Sequence, residues 1–407
     1  MLAMTRTRNK SARGQVGGIA ILMPRVIPFF LATLAASLFC SCTTPMATEM
    51  VCRATVPDTA HIDIHGNVYL GNYPSGLLHE AFEAGDTALV TLLGKTHRLT
   101  VVSDVREAPP GSAVLHFHPG NPPYDRMAVV NGAFAVKAGI ASQVPAENGG
   151  KPRWEPSGGV EFPIEVRIAH GANPVRRPGF SNYARRSNER ADYPDLTDAE
   201  FANFRPVSAP SIASGTLYRS SSPIDPSLGR KQYANAALGA CGVKTVWNMA
   251  DTADEAWIHS GRQYDGHYHA GCTICYKPLG TDFNSPLFKA GMRDGLRFLS
   301  KEEPPFLIHC KEGRDRTGVV AMLIEALCGA TRAEIEADYM KSFENYAIGD
   351  FNRAGAAESF AYCMKALGLE GVPDVELAAH AMKYLRDIGM EDHEIKALMT
   401  KLVRPPR

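Results

Sequence analysis

The chain has 407 residues, 45% of them hydrophobic and 21% charged, which are ordinary proportions for a folded protein with room for two or three domains. Its 43 basic and 43 acidic residues cancel, and this balance argues against a nucleic-acid binder.

Charge is unevenly placed at the start. Residues 1–42 carry Arg6, Arg8, Lys10, Arg13 and Arg25 and no acidic residue, so the remainder has a net charge of about −5. A basic region, the apolar run 26–39 and small residues after it read as an export signal. The run is shorter than a membrane span requires, which favours cleavage over a permanent helix. In "SLFCSCTT", Cys42 preceded by Ser41 resembles the acceptor of a bacterial lipoprotein signal, although Phe39 stands where leucine is usual. The expectation is an exported, membrane-anchored lipoprotein, periplasmic or at the cell surface, with an ordinary cleaved signal as the alternative. Met23 is a second candidate start. Of nine cysteines, seven lie beyond this segment, too sparse and too odd in number for a disulfide scaffold.

Residues 57–170 read as β-rich. "HIDIHGNVYLGNY" alternates and turns at Gly66-Asn67, and "TALVTLLG" and "HRLTVVSDV" are β-prone runs between turn residues. The breakers "APPGS" and "PGNPP" exclude long helices, so a small β-barrel or sandwich is expected. His116 and His118 of "HFHPG" alternate on one strand face and read as structural. "IDIHGNVYLGNY", "VVSDVREAPPG" and "MAVVNGAFAVKAGI" resemble the C-terminal β-domain of the S-adenosylmethionine hydroxide adenosyltransferases, which implies a fold and no chemistry. Residues 171–195 form a Pro/Gly/Arg-rich linker whose Arg176, Arg177, Arg185, Arg186 and Arg190 either attract anionic substrates or solvate a connector.

From 196 to 407 the pattern is α/β. Strand candidates are "TLYR", "VKTVWNM" and "FLIHC". Helical candidates are "DFNSPLFKAGMRDGLRFLSK", "TGVVAMLIEALCG", "TRAEIEADYMKSFENY", "DVELAAHAMKYLRDIG" and "EDHEIKALMTKLV". Thr331 with Glu334 makes a capping box, and Glu391 precedes the last helix.

"FLIHCKEGRDRTGVV" carries the chemistry. An apolar strand runs into a short charged loop and then a helix start, an arrangement that binds anions. Backbone N–H groups from Lys311 to Arg316 are placed to curl around one phosphate, Gly313 allows close approach, and Arg316 offers a planar fork to two oxygens. Cys310 at the centre of this positive cup is expected to be a thiolate nucleophile. The spacing Cys-x5-Arg-Thr after a histidine is the signature of the protein tyrosine phosphatase superfamily, which "HCKEGRDRTG" resembles closely. "FANFRPV", "LYRSSSP", "TVWNMAD", "RTGVVAMLIEALCGATRAEIEADYMKS" and "KYLRDIGM" extend the resemblance to the bacterial tyrosine/serine phosphatases over residues 200–403.

The resemblance implies an α/β tyrosine-phosphatase-like domain, a central sheet flanked by helices, preceded by the small all-β domain. It also implies a Cys-dependent phosphatase without a cofactor or metal. Cys310 would form a phosphocysteine and Arg316 would bind the phosphoryl group. Thr317 and Gly318 would open the helix behind it, with the Thr317 hydroxyl on the thiolate, and His309 would orient the loop. The general acid is expected at Asp282 of "YKPLGTDF", 28 residues before Cys310, with Asp315 as competitor and Asp251 and Asp254 behind them. Lys311 and Arg314 either read extra phosphates, as basic residues at these positions do in the lipid phosphatases, or pair with Glu312 and Asp315. The expected substrate is protein phosphotyrosine or phosphoserine. Phosphoinositides or inositol polyphosphates are the alternative, and a non-catalytic phosphate-binding surface protein is the second alternative. Arg219 either reaches the phosphate pocket or pairs with a carboxylate. His267, His269, Cys272 and Cys275 of "DGHYHAGCTIC" offer a metal site, a disulfide or unpaired rim side chains.

Overall fold

The computed structural model describes residues 50–72, 77–118, 124–146, 151–171, 185–263 and 268–403. The export signal, Cys42, Met23, Arg176, Arg177 and His267 lie outside these residues, as does the side chain of His118. Residues 48–407 form one compact unit.

Its first part is sheet-rich. In chain order come β1 (Met50–Val56), β2 (Val68–Tyr69), α1 (Leu77–Ala81), β3 (Thr87–Leu92), β4 (Lys95–Val102), β5 (Ala113–His118), β6 (Tyr124–Val129), α2 (Phe134–Lys137), β7 (Ala141–Val144), β8 (Arg153–Pro156) and β9 (Ile164–His170). Seven strands form one sheet in the order β1-β9-β3-β4-β5-β6-β2, while β7 and β8 make a separate hairpin. Pairs in the large sheet are antiparallel except β4–β5. The sheet closes on itself because Thr55 of β1 and Gly71 just beyond β2 exchange N–H···O bonds of 2.9 and 2.8 Å. Alternating residues such as Ile164, Val166 and Ile168 of β9 point inward and meet Val90, Leu99, Leu115 and Phe134 in a buried cluster. The expected all-β region therefore carries two one-turn helices, α1 and α2, beside its strands.

The second part follows with α3 (Asp198–Phe201), β10 (Arg205–Pro206), β11 (Leu217–Ser220), α4 (Lys231–Ala240), β12 (Thr245–Asn248), α5 (Ala253–His259), β13 (Thr273–Tyr276), α6 (Pro286–Lys301) and β14 (Phe306–His309). Then come α7 (Asp315–Leu327), α8 (Arg332–Glu344), α9 (Arg353–Ala366), α10 (Asp374–Asp387) and α11 (Asp392–Leu402). The sheet order is β10-β11-β14-β12-β13. It is parallel apart from β10, so its strands need helical crossovers and are covered on their faces. Every residue of β12 and β14 is buried, and so is every residue of α7 from Thr317 onward, which makes β14–α7 the spine of this part. Each expected strand and helix of this part is present. The sequence reading missed α3, α4, α5, α9 and the short β10, and β13 lies inside "DGHYHAGCTIC", a stretch read for its His and Cys residues.

Candidate active site

Parallel pairing sets the position of the loop after β14. His309, the last residue of β14, is in register with Ser220 of β11 and Asn248 of β12, so three strands end together and open a crevice at their carboxyl ends. Cys310 sits at the floor of that crevice, 3% exposed.

The loop's backbone orientation follows from where its carbonyls go. Lys311 O accepts from Ser222 N at 3.0 Å. Glu312 O accepts from Asn203 Nδ2 and from Tyr346 Oη, both at 3.0 Å. Gly313 O accepts from Arg219 Nη2 at 2.8 Å and Asn203 Nδ2 at 3.2 Å. In a planar trans peptide the N–H points opposite to the C=O. Three carbonyls held outward therefore turn the N–H groups of Glu312, Gly313 and Arg314 inward, and the free N–H groups of the first turn of α7 continue the cup. Gly313 has φ +69°, and a Cβ there would lie 2.1 Å from Ser220 O, so only glycine fits this turn.

A buried polar frame holds the loop from behind. Arg219, fully buried on β11, forms an ion pair with Asp338, and Arg205 bonds the same carboxylate at 2.6 Å. Arg205 also reaches Asn203 Oδ1 at 2.6 Å and Ser342 Oγ at 2.9 Å. Arg230 lies 3.8 Å over the Tyr346 ring and fixes the residue that bonds Glu312 O. Of the two possibilities for Arg219, the structure shows the pairing with a carboxylate. Its free edge supports the loop rather than entering the cup.

The charged side chains of the loop are largely neutralised locally. Arg314, 6% exposed, donates to Asp315 at 3.1 and 3.0 Å and lies 3.5 Å from Glu312. Glu312 also accepts from Arg186 Nη1 at 3.2 Å. Burial alone would raise the Glu312 carboxyl, but Arg314, Arg186 and Arg106 outweigh it and hold it well below the usual carboxylate range. Arg186, one of the linker arginines, stacks on Tyr346 at 4.7 Å, so its role here is structural. Lys311 is half-exposed and has Asp225 at 3.7 Å.

Arg316 Nη1 donates to Met249 O at 2.9 Å and Leu279 O at 3.1 Å. Leu279 lies three residues before Asp282, so the loop arginine is bonded directly to the segment that carries the expected acid. Burial raises the Asp282 carboxyl above its ordinary value, only partly offset by the N–H groups of Asn284 and Ser285. The other aspartates are engaged elsewhere. Asp315 is paired with Arg314. Asp251 is buried, its carboxyl raised by burial, and it contacts Asn248 Nδ2 at 3.1 Å and His259 Nδ1 at 3.2 Å. Asp254 sits in the exposed first turn of α5.

His309 is fully buried, and its Nδ1 donates to Cys310 O at 3.2 Å. Burial pushes its pKa down to about 4, so the ring is neutral near pH 7 and orients the loop without adding charge. Thr317 Oγ1 is buried without a hydrogen-bond partner among the described residues, which leaves the hydroxyl available to a sulfur at the cup floor. Gly318 packs against Tyr339, where a Cβ would approach the ring to 2.8 Å.

The remaining His and Cys residues have separate surroundings. Cys272 Sγ lies 3.4 Å from Val243 O, and burial pushes the thiols of Cys272 and Cys275 up to about 11. The seven described cysteines form no disulfide. His269 is buried, 6.1 Å from the His309 ring. His116 accepts from Arg126 Nε at 3.0 Å and reaches Ser103 O at 3.1 Å, in keeping with a structural role.

Asn203, Ser222, Asp338, Ser342 and Tyr346 were invisible as site residues in the sequence, because each meets the loop from a distant segment. Asn203 takes a left-handed backbone, φ +53°, which asparagine tolerates better than most residues.

Residues 223–404 match the model of a family described as the tyrosine phosphatase family. No curated protein matches. Fifteen chains of known structure match. One is an uncharacterized conserved protein from Thermotoga maritima, 19% identical, with the match covering 30% of this chain and 38% of that one at a TM-score of 0.21. The chain thus spans well under half of that protein's length.

Proposed function

We propose that this chain, a member of the protein tyrosine phosphatase superfamily through residues 223–404, is a Cys-dependent phosphatase that hydrolyses phosphomonoesters, with protein phosphotyrosine as the preferred substrate. The observation that carries this reading is the outward bonding of the Lys311, Glu312 and Gly313 carbonyls around Cys310, which leaves a ring of N–H donors over a buried sulfur.

In the proposed reaction the Cys310 thiolate attacks phosphorus in line and the bond to the leaving oxygen breaks. The loop N–H groups and Arg316 take up charge on the equatorial oxygens. Asp282 protonates the departing oxygen. Water then attacks the phosphocysteine, the Asp282 carboxylate takes its proton, and the thiolate departs toward the Thr317 hydroxyl. The preference for a single phosphoryl group is supported by Arg314, which is buried against Asp315 and Glu312 and is not free to read a second phosphate. Export and a lipid anchor through Cys42 belong to the same reading and would place the substrates outside the cytoplasm.

The test compares phosphate release by the wild type and Cys310→Ser across a phosphotyrosine peptide, a phosphoserine peptide, phosphoinositides and inositol hexakisphosphate. The expected outcome is preference for the phosphotyrosine peptide and a loss of about 10⁴-fold or more in the variant. Preference for polyphosphorylated inositols would overturn the protein substrate. Release that does not depend on Cys310 would overturn the mechanism, and no release at all would favour a phosphate-binding protein without turnover.

A further inference from the structure

The end of the linker, residues 185–193, lies against the back of the phosphate loop and ahead of the stretch 223–404 that matches the phosphatase family. It is tied down along its length. Arg185 O accepts from Ile348 N at 2.8 Å, in an isolated antiparallel bridge to the segment after α8. The hydroxyl of Tyr193, a residue 3% exposed, accepts from Ser187 N at 3.0 Å and lies 3.2 Å from Tyr346 O. Asn188 Nδ2 donates to Ser227 O at 3.1 Å, and Asn188 O closes on Gly229, where a Cβ would lie only 2.2 Å away. The backbone on both sides of Arg186 is therefore fixed.

Arg186 meets the loop at Glu312. Its Nη1 donates to Glu312 Oε1 at 3.2 Å and Oε2 at 3.3 Å, while the guanidinium lies 4.7 Å over the Tyr346 ring. Tyr346 Oη in turn donates to Glu312 O at 3.0 Å. Arg186 and Tyr346, stacked on one another, thus hold Glu312 at both ends, one by the side chain and the other by the carbonyl. Arg314 stands 3.5 Å from the same carboxylate but is drawn away by its two bonds to Asp315, and its Nη1 makes no hydrogen bond among the described residues. The carboxylate's hydrogen bonds among those residues come from Arg186. Arg186, Glu312, Arg314 and Asp315 form a row of alternating charge with side-chain exposures of 17, 23, 7 and 26%. Removing one partner from such a row leaves a part-buried charge under-paired, whereas removing both partners of a pair costs much less.

Resting on the phosphatase reading above, we infer that Arg186 is a positioning residue for the phosphate loop: its hydrogen bonds to Glu312 hold that residue in place and so keep the loop's N–H groups aimed at the phosphoryl oxygens. The coupling is a property of the backbone. The Glu312 carbonyl and the Gly313 N–H share one peptide plane. A Glu312 that swings toward water to rehydrate an under-paired carboxylate gives up the bonds to Asn203 and Tyr346 and turns the Gly313 N–H out of the cup. The linker is then part of the active site, and the phosphatase unit begins within it rather than at residue 196.

The experiment measures binding of inorganic phosphate by calorimetry to full-length Cys310→Ser, alone and with Arg186→Met, Arg186→Lys, Glu312→Gln, or Arg186→Met and Glu312→Gln together. Methionine keeps an apolar stem against Tyr346 and removes the donor, lysine restores a charged donor of similar length, and glutamine removes the charge that needs one. The expected result is a Kd about tenfold weaker with Arg186→Met and within about threefold of the parent for the other three. In the Cys310 background, kcat/KM for p-nitrophenyl phosphate should follow the same order, because the loop N–H groups serve bound phosphate and transition state alike. An unchanged Kd in Arg186→Met overturns the proposal. So does a lysine variant or a double variant as weak as Arg186→Met, either of which would make Arg186 a packing residue on Tyr346 alone. Binding is read without turnover, so an inactive wild type that still binds phosphate refutes the phosphatase reading and leaves this comparison to decide, whereas failure of Cys310→Ser to bind phosphate overturns both.

Discussion

Asp282 and Asp315 differ in one respect that decides their chemistry. A general acid must be protonated when substrate arrives. Arg314 holds the Asp315 carboxylate in two hydrogen bonds, whereas among the described residues the Asp282 carboxylate is bonded by backbone N–H groups and its carboxyl is raised by burial. Asp282→Asn should therefore lower kcat about 100-fold for a phosphopeptide, whose leaving oxygen needs a proton. The loss should be much smaller for p-nitrophenyl phosphate, whose leaving group departs as the anion. The measurement is steady-state kinetics of both variants on both substrates, and a leaving-group-dependent loss in Asp315→Asn instead would exchange their roles. The sequence made both residues visible by spacing from Cys310, but spacing says nothing about which carboxylate finds an arginine. The same limit applied to Lys311 and Arg314. Their charge was legible, while the burial of Arg314 and its pairing depend on how α7 begins.

Among the elements, β14 and α7 were the most legible, because an apolar run, a tight polar loop and a second apolar run leave few alternatives. Thr331 with Glu334 forms the expected capping box, and so does Glu391 with Glu394. What escaped was β13, a short edge strand, and α9, whose "RAGAAESFAYCMKA" has weak periodicity and takes its helical form from packing against α7 and α8. The burial of α7 has a further consequence at Glu325. This side chain is 1% exposed, and neither carboxylate oxygen has a hydrogen-bond partner among the described residues. Burial, then the nearby Asp338 charge, raise its pKa well above the ordinary value, against the opposing pull of Arg219 and Arg205. The unfolded chain ionises it above pH ~4.5, so its contribution to stability is present in acid and declines as pH rises, by up to about 1.4 kcal/mol per pH unit, until the folded group ionises too. His309 has the opposite sign. With a folded pKa of about 4, it costs stability as pH falls through the range from ~6.5 to 4. Glu325→Gln isolates the first effect. Relative to wild type, its urea unfolding free energy should gain steadily from pH 5 to pH 8, and a difference independent of pH would show that Glu325 is ionised in the fold.

On the scale of the whole molecule, the sheet-rich and helical parts each close their own apolar interior. The cluster around Val56, Val90, Phe134 and Val166 draws its members from the sheet-rich part, and that around Trp247, Leu296, Ile308, Val320 and Leu385 from the helical part. Contacts between the parts include polar ones, such as Tyr362 Oη to Asn131 O at 2.8 Å and the Lys151–Glu255 ion pair. Polar and ionic contacts of this kind contribute little beside two separate cores. Scanning calorimetry of the full chain should therefore resolve two transitions, with far-ultraviolet circular dichroism following the helical one. A single transition with equal calorimetric and van't Hoff enthalpies would refute this separation. Ligand linkage then extends the argument to the active site. Inorganic phosphate at about 100 times its Kd stabilises whatever binds it by about 2.7 kcal/mol. The N–H cup around Cys310 is built from the helical part, so phosphate should raise only the transition seen by circular dichroism, and a joint rise of both would show that the two parts are coupled.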